Sequence, residues 1–202
     1  MKQYTALIIG SGFGGQAAAV NLRRIGIDDF VILERRAWIG GTWSQNSYPG
    51  AAVDVQSPLY SLSFEPYPWS QMFADQHELV TYTNHVLDKH GLRDKTVLNA
   101  NVKEVRWNAQ RQRWTVQTEA AGTFEAQFLI NASGPLSTPV IPHFKGRDSF
   151  QGHSFHTNNW QHDVDLRGKR VAIIGSGASA AQVIPAIASD VGHLHVFQRT
   201  PH

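Results

Sequence analysis

The sequence predicts an α/β fold: two strand–turn–helix units with parallel sheets, an antiparallel β-meander between them, and a second unit that is incomplete. Three observations predict it. The apolar run Ala6-Leu7-Ile8-Ile9 leads into Gly10-Ser11-Gly12-Phe13-Gly14-Gly15. Far along the chain Val171-Ala172-Ile173-Ile174 leads into Gly175-Ser176-Gly177-Ala178-Ser179-Ala180. Between the two lie short alternating segments separated by polar turns.

Each element follows from its local pattern. Residues 4–10 read as a buried parallel strand, an apolar run closed by glycine. Residues 13–25 read as a helix with Ala17, Ala18, Val20, Leu22 and Ile25 on its inner side and Gly26 as its stop. Phe30-Val31-Ile32-Leu33 is the second strand, ending at Glu34. The stretch 37–70 is loop-like and rich in Gly, Pro, Ser and Trp; so long a loop in a compact domain is usually functional. Residues 74–90 return to helix, with Leu79, Tyr82, Val86 and Leu87 at helical spacing before Gly91. Strands around 101–107, 113–118 and 123–128 make the meander, and Phe128-Leu129-Ile130-Asn131 reads as a further central strand leading to Ala132-Ser133-Gly134. Pro139, Pro142 and Gly146 punctuate a connection into strand 169–175, helix 178–188 and strand 193–198. The expected division is 1–140 and 141–202, and the second part holds too few strands for a full unit of its kind.

Composition narrows the function classes. Charged residues make up 17% and hydrophobic ones 42%, a globular balance. A formal charge of +2, without a basic cluster, gives no reason to expect nucleic acid. The absence of cysteine excludes a thiol redox centre and a thiolate metal site, and fits a cytoplasmic setting. No apolar run approaches the ~18–20 residues that span a bilayer, and the early first strand leaves no room for a signal peptide. The ten histidines are scattered without acidic partners at ligand spacing, so no metal site is expected.

The glycine turns carry the chemistry. In the first, Gly10 permits a tight turn, Gly12 lets the backbone approach a pyrophosphate, and Gly15 lets helix and strand pack closely. The helix N-terminus adds N–H groups and positive dipole. Glu34 at the end of the next strand can accept hydrogen bonds from ribose hydroxyls but repels a 2′-phosphate, so FAD or NAD is expected there. In the second, Ala180 replaces the last glycine and no acid ends the following strand. Arg199 and Thr200 stand there instead, which suits the 2′-phosphate of NADP.

The string Gly41-Thr42-Trp43 … Tyr48-Pro49-Gly50-Ala51-Ala52-Val53-Asp54 resembles the flavin-loop signature of Baeyer–Villiger monooxygenases. Phe150, Gly152, His156 and Trp160 match their F-x-G-x-x-x-H-x-x-x-W fingerprint, although Gln161 stands where Pro or Asp is usual. Related flavin-containing monooxygenases usually carry another aromatic at the position of Trp160. Ala132-Ser133-Gly134 resembles the family's second flavin-contacting turn, and Phe197-Gln198-Arg199-Thr200-Pro201 its NADP phosphate loop. The family is normally more than twice this long, so the resemblance marks the chain as its N-terminal part.

The resemblance implies FAD contacts at Gly10, Gly12, Phe13, Gly14 and Gly15, at Glu34 and Arg35, and at Gly41, Thr42 and Trp43. It extends them to Asp54, Val55 and Tyr60, to Val102, and to Ala132 and Gly134. NADP(H) contacts are expected at Gly175, Ser176, Gly177, Ala178, Ser179 and Gln182, and at Arg199 and Thr200. Asp54 is the implied catalytic residue, beside the nicotinamide and helping to hold an arginine beyond this chain. His156 and Trp160, four apart, would share a face if helical; the resemblance places them in a link that couples NADP binding to catalysis. It implies that NADPH reduces FAD, that the reduced flavin captures O2 as a C4a-peroxide, and that the peroxide inserts oxygen beside a ketone carbonyl. This stretch alone is expected to be inactive. The other readings are a nitrogen- or sulfur-oxygenating flavin monooxygenase and a non-catalytic flavin-binding fragment; a disulfide reductase is excluded by the absent cysteines.

Overall fold

The structure, a computed structural model, describes residues 1–200. The chain divides into two compact units. The first comprises Met1–Ser44, Ser61–Pro68 and Leu79–Ser137; the second comprises Gln45–Tyr60, Trp69–Glu78 and the chain from Thr138 on.

In the first unit β1 (Lys2–Ile9) leads into α1 (Phe13–Arg24) and β2 (Phe30–Leu33). Next come the one-turn α2 (Thr42–Gln45), α3 (Gln76–Lys89), the two-residue β3 (Thr96–Val97), β4 (Val102–Asn108), β5 (Arg113–Thr118) and β6 (Thr123–Asn131). The strands form one sheet in the order β3-β2-β1-β6-β5-β4. β3, β2, β1 and β6 run parallel, and β5 and β4 add the antiparallel edge. Period-two alternation sends Ala6 and Ile8 to one face, with Phe30 and Ile32 and the helix residues Ala19, Val20, Leu22 and Leu87. It sends Leu7, Val31 and Leu33 to the other, with Val116, Phe124 and Ala126. A central strand buried on both faces must be apolar throughout, which is why Ala6-Leu7-Ile8 carries no alternation.

The structure corrects four expectations. Residues 123–131 are a single strand rather than two: β6 pairs antiparallel with β5 through Thr123–Ala126 and parallel with β1 as far as Asn131. No turn residue interrupts it, so the last meander strand continues into the sheet centre. Ile25 does not face inward but is 72% exposed, because α1 ends at Arg24 and residue 25 is its C-cap; Gly15, Gln16 and Ala19 are buried instead. The loop 37–70 contains α2, and β3 had no visible signal in two residues.

In the second unit β7 (Arg170–Ile174) and β8 (His193–Phe197) are parallel and joined by α4 (Ala178–Ile187). Val183 and Ile187 of α4 pack with Val171, Ile173 and Leu194 of the strands, and with Tyr48 and Ala51. Residues 51–57 lie against 72–76: Val53 N donates to Ala74 O at 3.0 Å and Gln76 N to Ala51 O at 2.9 Å.

One buried charge holds the segment 61–68 in the first unit. The Glu65 side chain is only 3% exposed. It accepts hydrogen bonds from Lys89 Nζ (2.7 Å) and meets His85 Nε2 (2.9 Å) and His90 Nε2 (3.0 Å), the first two residues on α3 and the third just beyond it. Burial alone would push the carboxyl up, but the bonds from Lys89, His85 and His90 outweigh it and hold it at about 2, below the ordinary 4.5. A depressed carboxyl stabilises the fold above its unfolded value and loses that contribution as pH falls through the folded one. The shift corresponds to on the order of 3 kcal/mol at neutral pH. Thermal melts should therefore show stability falling as pH drops from about 4.5 through about 2. Glu65→Gln should lower the melting temperature at pH 7 and flatten this acid limb; an unchanged limb would show that other carboxylates cause it.

Candidate functional site

The turn from β1 into α1 is packed backbone against backbone. Gly10 has φ +102°, and a Cβ there would lie 2.4 Å from the Ala132 carbonyl oxygen at the end of β6. A Cβ on Gly15 would lie 2.0 Å from the Gly10 carbonyl oxygen, so the close packing expected of Gly15 is against the turn itself. Gly41, with φ +65°, approaches so closely that its Cβ would lie 2.8 Å from Gly12 Cα. The sequence groups at 10–15, 41 and 132 thus come together. Gly134 is exposed and has nothing near its Cβ direction, and Val102 packs into the core on β4.

Gly12 differs from its neighbours. Its φ of −72° and ψ of −169° are open to any residue, and a Cβ would meet only Gly41 Cα at 3.5 Å, an ordinary contact. The protein's own packing does not require glycine at this position. Gly12 is also the N-cap of α1, which has no side-chain cap and no acid in its first turn. By contrast α3 is capped: Asp75 Oδ1 accepts from Glu78 N at 2.9 Å. The N-terminus of α1 thus carries no capping side chain, and its positive end of the helix dipole suits an anionic group.

Glu34 is buried and set by its neighbours. Its Oε2 accepts from Ser11 N (3.1 Å) and Ser11 Oγ (2.5 Å), and its Oε1 from Arg36 N (3.0 Å). Ser11 Oγ also accepts from Gly40 N at 3.3 Å, tying the first turn to the Gly40-Gly41 loop. A carboxylate offers about four acceptor positions, so one remains on Glu34 for a further donor. Sequence reading assigns no role to Ser11, because its partner Glu34 is distant in the chain. It also missed Gln16, fully buried, whose Nε2 donates to Ser11 O at 3.1 Å and whose Oε1 has no partner among the described residues. Phe13 meets the Tyr82 ring edge-on at 5.6 Å, Gly14 faces Ala132 Cβ, and the Arg35 guanidinium donates to Ser137 O. Thr42 is exposed and Trp43 half-buried on α2.

The second unit repeats the arrangement. Gly175 N donates to Phe197 O at 2.9 Å, as Gly10 N donates to Leu33 O at 2.8 Å. Gly177, with φ −70° and ψ −179°, is the N-cap of α4, which likewise has no side-chain cap and no acid in its first turn. A Cβ on Gly177 would meet nothing within 4 Å. Ser176, Ala178 and Ser179 lie in this turn, Ala180 is buried, and Arg199 and Thr200 are exposed just past β8. Pro201, expected in the phosphate loop, lies outside the described residues.

The fingerprint string is not helical across its His and Trp. Thr157–Asn159 is a single 3-10 turn, with His156 and Trp160 extended on either side. His156 Nδ1 accepts from Asn158 N at 3.1 Å, and Trp160 meets Phe155 edge-on at 5.1 Å. Phe150 is exposed, and its ring occupies the space a Cβ on Gly152 would need, at 2.7 Å. Asp54, Val55 and Tyr60 group with this second unit, Asp54 and Val55 being exposed.

Residues 7–202 match the family model for pyridine nucleotide-disulphide oxidoreductases. The chain belongs to that family. It has no cysteine, so the dithiol chemistry of the family's name is not available to it. A Baeyer–Villiger monooxygenase of Streptomyces coelicolor is 50% identical over 195 residues, covering 96% of this chain and 37% of the relative. An oxidised steroid monooxygenase bound to NADP superimposes with a TM-score of 0.93 at 39% identity, over 100% of this chain and 40% of that one. The structure of OTEMO in complex with FAD and NADP gives 0.91 at 36% identity, over 98% and 39%. The resemblance to Baeyer–Villiger monooxygenases is thereby borne out, and the chain spans well under half the length of these relatives.

The two kinds of glycine give opposite expectations. Gly15→Ala places a methyl in the Gly10 carbonyl and should cost about 3 kcal/mol of stability or prevent folding. Gly12→Ala should change stability by less than about 1 kcal/mol yet weaken flavin binding by about tenfold or more. Thermal melts and flavin titration on both variants check this, and a Gly12→Ala protein that binds flavin normally would remove the phosphate-approach role.

Proposed function

We propose that this chain is part of an FAD- and NADPH-dependent monooxygenase of the Baeyer–Villiger type, acting on a small ketone with O2. Residues 1–140 form the FAD-binding part and 141–202 the start of the NADPH-binding part. The observation that carries the reading is the pair Gly12 and Gly177. Both are N-caps of uncapped helices, and neither is required to be glycine by the protein around it. Kinship with NADP- and FAD-bound monooxygenases supplies the chemistry that such a pair would serve.

The residues present fit both cofactors. The N–H groups at the start of α1 receive the FAD pyrophosphate, and Glu34 offers its one remaining acceptor position to a ribose hydroxyl. Ser11 keeps that carboxylate oriented. The start of α4 receives the NADP pyrophosphate, and Arg199 with Thr200 receives the 2′-phosphate. Asp54 is the catalytic candidate and would act on the bound nicotinamide's side of the site. The bound flavin supplies electron transfer and oxygen activation; the chain's task is to bind, orient and exclude water.

The test is made on the full-length polypeptide. It should purify with bound flavin, be bleached by NADPH, and convert a cyclic ketone to a lactone with consumption of O2. Oxidation of sulfides or amines with ketones untouched would assign it to heteroatom oxygenation instead. Arg199→Ala should raise the Michaelis constant for NADPH about tenfold to a hundredfold, the worth of one charge-assisted phosphate contact, and leave NADH nearly unaffected.

A further inference from the structure

The segment 45–52, which leads to Asp54, is strapped onto two elements of its own unit. At its start the Gln45 side chain donates to Asn158 Oδ1, Asn46 Oδ1 accepts from Asn158 Nδ2 at 3.2 Å, and Ser47 Oγ lies 2.7 Å from His162 Nε2. At its end one amide makes two bonds. Gln182 Oε1 accepts from the Tyr48 hydroxyl at 2.8 Å, and Gln182 Nε2 donates to the Ala52 carbonyl at 2.8 Å. Between these two points Gly50 has φ +78°, and a Cβ there would lie 2.6 Å from the Gln182 carbonyl oxygen. The strap therefore touches α4 with backbone as well as side chain, and Tyr48 and Ala51 are buried beside Val183 and Ile187.

This geometry gives Gln182 a different role from the nucleotide contact that its place after the second glycine turn suggests. Its amide oxygen and nitrogen are both engaged by the strap. We propose that Gln182 is a positioning residue for Asp54. By joining Tyr48 and Ala52 to the helix whose N-terminus receives the nucleotide phosphates, it fixes where the strap delivers Asp54 two residues later. The inference rests on the nucleotide reading above and deepens it: occupancy of α4 and the placement of the Asp54 loop become one event.

The experiment compares Gln182→Met, which keeps the bulk and removes both bonds, with Tyr48→Phe, which removes one bond without touching α4. In the full-length holoenzyme, Gln182→Met should leave the dissociation constant for NADP⁺ within about twofold and slow flavin reduction at saturating NADPH by about tenfold or more, since small displacements of a reacting group cost rate steeply. Tyr48→Phe should slow the same step less, and add little when combined with Gln182→Met, because both act through one bond. A tenfold weaker NADP⁺ affinity with an unchanged saturated rate would make Gln182 a ligand and overturn the proposal, as would multiplicative effects or no effect. A nucleotide-free measurement separates this from the functional reading. Limited proteolysis around the exposed Leu59 should be about fivefold faster in Gln182→Met, reporting a loosened strap. If the wild type takes up neither cofactor, the functional reading fails and unchanged cleavage sinks the strap as well.

Discussion

The first unit depends on a place where no side chain can go. Gly10, Gly15 and Gly41 bring three stretches of main chain, together with the Ala132 carbonyl, within van der Waals contact. Nothing larger than hydrogen fits at these positions, so the end of β1, the start of α1, the 40–41 loop and the end of β6 are locked to one another by excluded volume. Polar groups then fall into place around that lock. Ser11, fully buried, bonds Glu34 through both its N–H and its hydroxyl and receives Gly40 N–H. The position of the Glu34 carboxylate is a consequence of the backbone crossing.

Glycines in this chain separate into those the fold needs and those it does not, and the second kind is the more informative. Gly15 is forced by the Gly10 carbonyl at 2.0 Å; Gly12 and Gly177 are forced by nothing in their own units. A glycine at an N-cap forgoes the side-chain acceptor that Ser, Thr, Asp or Asn would supply, at a cost of about a few tenths of a kcal/mol. α3 by contrast has a capping side chain, Asp75. α1 and α4, which have no side-chain cap, both follow glycine turns, the pattern expected where a phosphate takes the place of the capping side chain.

Much of this was legible in residue order, and what was not has identifiable causes. Buried parallel strands announce themselves by unbroken apolar runs, so β1, β2, β7 and β8 lie within a residue or two of their expected spans. The union of 123–128 and 128–131 into one strand was hidden because a strand shared by an antiparallel edge and a parallel centre changes its exposure pattern midway: Phe124 and Ala126 are buried, whereas Phe128 is 51% exposed. Ile25 was misplaced because periodicity does not see where a helix stops. The condition under which His156 and Trp160 would share a face is not met, because spacing alone does not distinguish a 3-10 turn between extended residues from a helix. Contacts distant in sequence left no local trace at all. Glu65 with α3, and Gln182 with Tyr48 and Ala52, join residues whose patterns are unremarkable taken singly.

On the proposed function, one backbone arrangement in the two units would sort two nucleotides. Gly10 N–H and Gly175 N–H bond the last residue of the following strand, Leu33 and Phe197, in the same way. What comes next differs in sign. In the first unit Glu34 follows immediately, buried and already committed to three donors. In the second, Arg199 and Thr200 stand exposed, without a carboxylate in that turn. A phosphate brought near the first would face a fixed negative charge, worth several kcal/mol per unit charge at about 4 Å in a partly buried site, whereas the second offers it a planar cation. Since the main-chain geometry is common to both, selection between a bare ribose and a phosphorylated one falls on these few side chains. That is the physical ground on which the proposed function places FAD at the first turn and NADPH at the second.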